Sequence, residues 1–201
     1  MSLRIPSGVA GLDRLLGGGW AAGKTNIVYG PPSSLKTIIC LATARLFASR
    51  GGVPYYIDTE AKTSPDPSII HHEALEIQQV LDRLVEIKAR TRFINPHLTL
   101  VVIDSLTAPL HHLYLQHPQY ASQKQRALNH LLNQLNSEGV TVLATSWLLR
   151  EGYTGKSLNP AVVVRVRKTV NRLVAVLERS DETLVGSEEI DVSEVLKAAA
   201  V

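Results

Sequence analysis

The sequence predicts an α/β fold: a mostly parallel central sheet, helices on both faces, and an antiparallel hairpin near the C-terminal end. Three observations predict it. Apolar runs of strand length recur at NIVYG (26–30), VPYYID (53–58), TLVVID (99–104) and VTVLATS (140–146). Stretches with helical spacing separate them, over 36–50, about 68–91 and 122–138. Continuous apolar strands between helices mark a parallel sheet buried on both faces. After residue 160 the pattern changes, because AVVVRVRKT and RLVAVLERS alternate in part around a turn at Val170 and Asn171. An edge strand near 183–190 and a short helix over 193–200 complete the expectation. The 201 residues suffice for a single domain, 1–201, with a full core.

The first element to justify is a loop. Residues 18–25, GGWAAGKT, match the phosphate-loop pattern G-x-x-x-x-G-K-[ST] in full, whereas residues 30–37, GPPSSLKT, carry Leu35 where the pattern wants glycine. Context favours the poorer match. A phosphate loop needs a buried strand before it and a helix after it, since the helix N-terminus offers free N–H groups and a positive dipole end. GPPSSLKT follows NIVYG and opens onto TIICLATARLFASR, which runs to Gly51 and Gly52. GGWAAGKT has the reverse order and reads as a glycine-rich turn before a strand. The candidate nucleotide-binding residues are therefore Gly30, Pro31, Pro32, Ser33, Ser34, Leu35, Lys36 and Thr37. Lys36 would reach the terminal phosphates, and the Thr37 hydroxyl would bind magnesium.

The second strand ends in YYIDTE, residues 55–60, at the sheet edge where ligands of such folds sit. Glu60 is the candidate catalytic base, able to polarise a water for attack on a γ-phosphate. The bland alternative makes Asp58 or Thr59 a helix cap and leaves Glu60 in solvent. The third strand ends in Asp104, a carboxylate that can hold magnesium through a water.

Bulk properties bound the rest. Apolar residues make up 45% and aromatic residues 5%, so the core is aliphatic. No apolar run reaches 18 residues and MSLRIPSG is no secretory signal, so neither a membrane nor export is expected, and the cytoplasm is the expected compartment. The single Cys40 excludes an internal disulfide and reads as a buried thiol. His71, His72, His111, His112 and His117 include adjacent pairs, which point apart on a helix and chelate poorly. Of the net +3, residues 150–179 hold +5: Arg150, Lys156, Arg165, Arg167, Lys168, Arg172 and Arg179 against Glu151 and Glu178. Six acids follow between Asp181 and Glu194. A basic segment beside an acidic one fits a polyanion partner, and equally a solvated strand face with ordinary charge pairs.

IPSGVAGLDRLLGGGW, GPPSSLKT, YYIDTE, LVVIDSLTAPL and LNSEGVTVLATS, taken in order, resemble the core of the RecA/RadA recombinase family, and within it the archaeal RadA paralogues, including RadB-like proteins. The resemblance implies a RecA-like P-loop NTPase core. It implies ATP and magnesium as ligands if the loop is competent and none otherwise, a role in homologous recombination and repair, and RadA or another paralogue as partner in a homo- or hetero-oligomer. Lys124 and Gln125 match a family position in the first DNA-contacting loop. Lys124, with Arg150, Lys156, Arg165, Arg167 and Lys168, is thus a candidate contact to single-stranded DNA. Tyr114 and Tyr120 lie nearby and either stack on bases or simply pack.

Departures accompany the likeness. Ser33 and Leu35 replace two glycines of the family loop, and a leucine aimed at the phosphates would obstruct them. Ser146 and Trp147 stand where the family has Asn and Gln. Trp147 reads as a core or interface residue. The DNA loop that follows is shorter, as is the stretch between Glu60 and Asp104, and neither an N-terminal DNA-binding domain nor a polymerisation leader is expected. The favoured expectation is a paralogue that assists recombination with weak or absent ATP hydrolysis. The alternatives are an active DNA-dependent ATPase of the RadB type and a KaiC-like signalling ATPase.

Overall fold

The computed structural model describes residues 3–64, 66–149, 152–153, 156–178 and 184–200, with side chains throughout except at 148, 149, 152, 153 and 156. Its elements run β1 (Arg4–Ile5), α1 (Ala10–Leu15), β2 (Trp20–Ala21), β3 (Thr25–Gly30), α2 (Lys36–Ser49), β4 (Val53–Asp58), β5 (Ile70–Glu73) and α3 (Ile77–Arg90). There follow β6 (Thr99–Asp104), α4 (Ala108–Gln116), α5 (Pro118–Glu138), β7 (Thr141–Leu149), β8 (Gly152–Tyr153), β9 (Val162–Lys168), β10 (Arg172–Glu178), β11 (Leu184–Asp191) and α6 (Val192–Ala200). The fold is α/β with a mixed, mostly parallel sheet ordered β11-β10-β9-β3-β7-β6-β4-β5, and β8 pairs with β7. Strands from β9 to β5 are mutually parallel, while β9, β10 and β11 form an antiparallel meander.

Alternation along the strands sorts the core into two layers. Ile27, Tyr29, Tyr55, Ile57, Val101 and Ile103 face α3, α4 and α5. Val28, Tyr56, Leu100, Val102 and Leu143 face α1, α2 and α6. Both faces of β3, β4 and β6 are thus buried, which is why those segments read as unbroken apolar runs. Cys40 is buried among them.

Two boundaries differ from expectation. The stretch 68–91 divides, because helical spacing holds only from Ile77 through Val80, Leu81, Leu84 and Ile87, all buried. A reciprocal cap between Glu76 and Gln79 starts that helix. Before it, Ile70–Glu73 pairs in parallel with Tyr55–Asp58 and extends the sheet by one strand beyond β4. The segment before 122 is also helical. Pro118 opens α5 at a position where a missing N–H costs nothing, and Gly139 ends it with φ 100°. Among the described residues no helix is long and apolar enough to cross a membrane.

Candidate nucleotide-binding site

The two loops occupy opposite ends of β3. Residues 18–25 precede the strand, and the groups around it are tied into the fold, except for the Lys24 side chain. Buried Asn26 donates to the carbonyls of Ala21, Lys24 and Val142 (3.1 Å each) and accepts from the Ala21 N–H at 2.9 Å. Trp20 is fully buried and donates to Thr43 Oγ1 at 3.1 Å. Gly19, at φ 122°, has no room for a Cβ against the Ile5 carbonyl. Lys24 is exposed at the end of the strand remote from α2.

Residues 30–37 lie between the C-terminal end of β3 and the start of α2. Ser33 and Leu35, where the family loop has glycine, both adopt the left-handed conformation, at φ 60° and 66°. Each such residue costs about 1–2 kcal/mol. The Leu35 side chain packs against the apolar layer beneath α2, with Ile38 and Leu41, so it is held by the core. Gly30 is required for a different reason: a Cβ there would collide with the Val166 carbonyl of β9. Lys36 Nζ folds back to donate to Gly30 O at 3.0 Å, Pro31 O at 2.8 Å and Ser34 Oγ at 3.3 Å. Burial lowers the pKa of Lys36, against the opposing pull of Asp104 and Glu60.

Asp104 is the hub beside this loop. Its Oδ2 accepts from Thr37 Oγ1 at 2.7 Å and from the Tyr56 hydroxyl at 2.8 Å, while Oδ1 accepts from the Thr145 hydroxyl. Thr37 and Asp104 thus present hard oxygen donors side by side, the set that magnesium prefers. Burial, then the charge of Asp104, pushes the Tyr56 phenol well above its ordinary pKa and keeps it a donor. Tyr56 and Thr145 were not singled out from the sequence. Their only signal is that a polar tip buried in a central strand needs a partner.

Asp58 caps a loop and not a helix. It accepts from the backbone N–H of Glu60 (2.9 Å), Lys62 (2.9 Å) and Thr63 (2.8 Å), and from the Thr63 hydroxyl. That loop holds Glu60 out of open solvent. Glu60 Oε1 accepts from Trp147 Nε1 at 3.1 Å and from Ser105 Oγ at 3.2 Å, and Oε2 pairs with the Lys62 ammonium. Burial opposes ionisation of Glu60, but bonds from Lys62, Trp147 and Ser105 outweigh it and lower its pKa. The indole of Trp147 is part-buried and engaged at the site, a contact its expected core or interface role did not include.

Among the described residues, the candidate DNA-contacting residues lie on separate elements of the chain. Lys124 lies on α5, donating to Gln78 Oε1 at 2.6 Å and resting 4.9 Å from the centre of the Tyr120 ring. The Tyr114 hydroxyl bonds to Gln125 across α4 and α5. Arg165, Arg167 and Lys168 are exposed on β9. Arg165 pairs with the buried Glu178 at 3.2 Å, so there the ordinary charge pair holds. Lys156 lies in a short helical turn, whereas Arg150 and Arg179 lie outside the described residues. Among the described residues no histidine, cysteine or acidic cluster has metal-binding geometry. His71, on a strand, instead stacks on Tyr56 with ring centres 5.9 Å apart.

No family model matches the chain. Curated relatives do. The DNA repair and recombination protein RadB of Halobacterium salinarum is 46% identical over 56 residues, 28% of this chain and 24% of that protein. RadB of Thermococcus gammatolerans is 31% identical over 118 residues, 52% of each chain. Protein RecA of Lactobacillus delbrueckii subsp. bulgaricus is 33% identical over 112 residues, 52% of this chain and 33% of RecA. The chain is a RadB-like member of the RecA/RadA superfamily. Its matched stretch spans about half the length of the Thermococcus relative and less of the other two. Within this RadB-like chain, β3, α2, β4, β6 and β7 bring residues 30–37, Glu60, Asp104 and Trp147 to one edge of the sheet, while 18–25 stays at the other.

Proposed function

We propose that the chain is an accessory protein of homologous recombination and DNA repair that binds magnesium–ATP at residues 30–37 and hydrolyses it weakly or not at all. The observation that carries the reading is the triad of Lys36, Thr37 and Asp104: a part-buried ammonium beside a hydroxyl that donates to a carboxylate at 2.7 Å. Lys36 would exchange its bonds to the Gly30 and Pro31 carbonyls for phosphate oxygens. The Thr37 hydroxyl and Asp104 would hold the magnesium ion, which neutralises phosphate charge when bound. Slow hydrolysis is supported by Ser33, which puts a side chain where the loop wants none, and by the Glu60 carboxylate, which already accepts from Trp147, Ser105 and Lys62.

The names of the relatives support a setting in recombination, with RadA or another paralogue as partner. Single-stranded DNA would meet the exposed Arg167 and Lys168 and the Lys124 side of α5. A second reading, an active DNA-dependent ATPase, is favoured by the retention of Lys36, Thr37, Glu60 and Asp104 together.

Titration with a fluorescent ATP analogue and magnesium, paired with a phosphate-release assay, separates the two. Micromolar binding with release near background fits the accessory reading. Steady release that Lys36→Ala abolishes establishes the active enzyme instead. Retention on single-stranded DNA is expected at low salt and falls steeply as salt rises. No retention at low salt leaves only the protein-partner role.

A further inference from the structure

The contact between Trp147 and Glu60 joins the loop after β4 to β7, two strands that are not neighbours in the sheet. Glu60 sits in the loop after β4, and Trp147 lies on β7 directly across from Gly30, the first residue of the phosphate loop. The indole is fixed from both sides. Its backbone N–H donates to Thr107 Oγ1 at 3.0 Å, and its ring lies 5.7 Å from the His111 ring in a tilted arrangement. From that seat its Nε1 reaches Glu60 Oε1 at 3.1 Å, an oxygen that also accepts from Ser105 Oγ at 3.2 Å. The other oxygen faces the Lys62 ammonium. A carboxylate offers about four lone-pair sites, so three donors leave little room to take a water proton.

We infer that Trp147 is a positioning residue that clamps the Glu60 carboxylate and keeps it from acting as a general base. This rests on the nucleotide reading given above. The chemistry of indole makes the clamp one-directional. Indole donates and cannot accept, so its bond favours the ionised carboxylate and it can neither take nor relay a proton. An amide or hydroxyl at the same place can do both. A base whose lone pairs are fed by an ammonium, an indole and a hydroxyl is weakened, and general-base efficiency falls with it.

The test uses Trp147→Phe in the full chain, which keeps a ring against His111 and the backbone bond to Thr107 and removes only the N–H. Turnover at saturating magnesium–ATP is expected to rise about tenfold or more, with unchanged affinity for the ATP analogue, and to fall back when Glu60→Gln is added. A second readout is independent of turnover and of the variant's folding. The chain has two tryptophans, Trp20 and Trp147, hence two indole N–H signals in a nitrogen–proton NMR spectrum. The Trp147 signal is expected to move, and to exchange faster with water, in Glu60→Ala, while that of Trp20 stays. Equal turnover in Trp147→Phe with intact nucleotide binding overturns the clamp and leaves the nucleotide site standing, and so does an indole signal indifferent to Glu60→Ala. Failure of the unaltered chain to bind the analogue overturns the nucleotide site, and the clamp's catalytic role with it, even where the indole contact is detected.

Discussion

Residues 18–25 and 30–37 flank the same six-residue strand, and the comparison between them separates a pattern from a site. The first holds every letter of the phosphate-loop pattern. Yet its glycines serve a turn, its tryptophan fills the core, and its lysine stands in solvent at the wrong end of the sheet. The second lacks a required glycine, yet its lysine is buried beside Asp104 and its backbone keeps the left-handed turn at Ser33 and Leu35 that glycine would have adopted freely. On the proposed reading, what makes a nucleotide site is the position of the loop between a buried strand end and a helix start, and the residue letters modulate how well that position works.

Substitutions can break or sharpen this contrast. The largest effect is expected from Gly19→Ala in the first loop. Its Cβ would strike the Ile5 carbonyl at a φ of 122°, and destabilisation of about 3 kcal/mol should appear in denaturant melts. Nucleotide affinity of the remaining folded protein should not change, because the glycine serves the fold. Trp20→Phe is next. It removes the buried bond to Thr43 and should cost about 1 kcal/mol by the same measurement, again without a nucleotide effect. The smallest effect is expected from Ser33→Gly in the second loop. Ser33 is exposed, so relief of its left-handed strain should stabilise the chain by about 0.5 kcal/mol after the greater freedom of unfolded glycine is subtracted. Here nucleotide affinity should rise, the reverse of the response in the first loop.

Much of the fold was legible because burial on both faces writes itself as unbroken apolar strands, as at 26–30, 99–104 and 140–146. The partition of 68–91 was not. Ile70–Glu73 is a short half-buried edge strand whose two histidines carry no periodic signal, and only pairing with β4 makes it a strand. The site divides similarly. Lys36, Thr37 and Asp104 were legible because loop and strand-end positions converge by topology at the C-terminal edge of a parallel sheet. The partners of Glu60 were not, since the contacts to Trp147 and Ser105 join residues 87 and 45 positions apart along the chain. The effect of Leu35 was also hidden. Sequence spacing places a leucine at the loop, but only packing directs its side chain into the apolar layer under α2.

The central claim is that residues 30–37 form the nucleotide site and residues 18–25 do not. The most direct measurement is a titration of the unaltered chain, Lys24→Ala and Lys36→Ala with a fluorescent ATP analogue in magnesium. The account predicts equal affinity for the unaltered chain and Lys24→Ala, and a loss of about thirtyfold or more in Lys36→Ala, as expected for removal of charge-assisted bonds to phosphate. Unchanged binding in Lys36→Ala, or loss in Lys24→Ala alone, would contradict it.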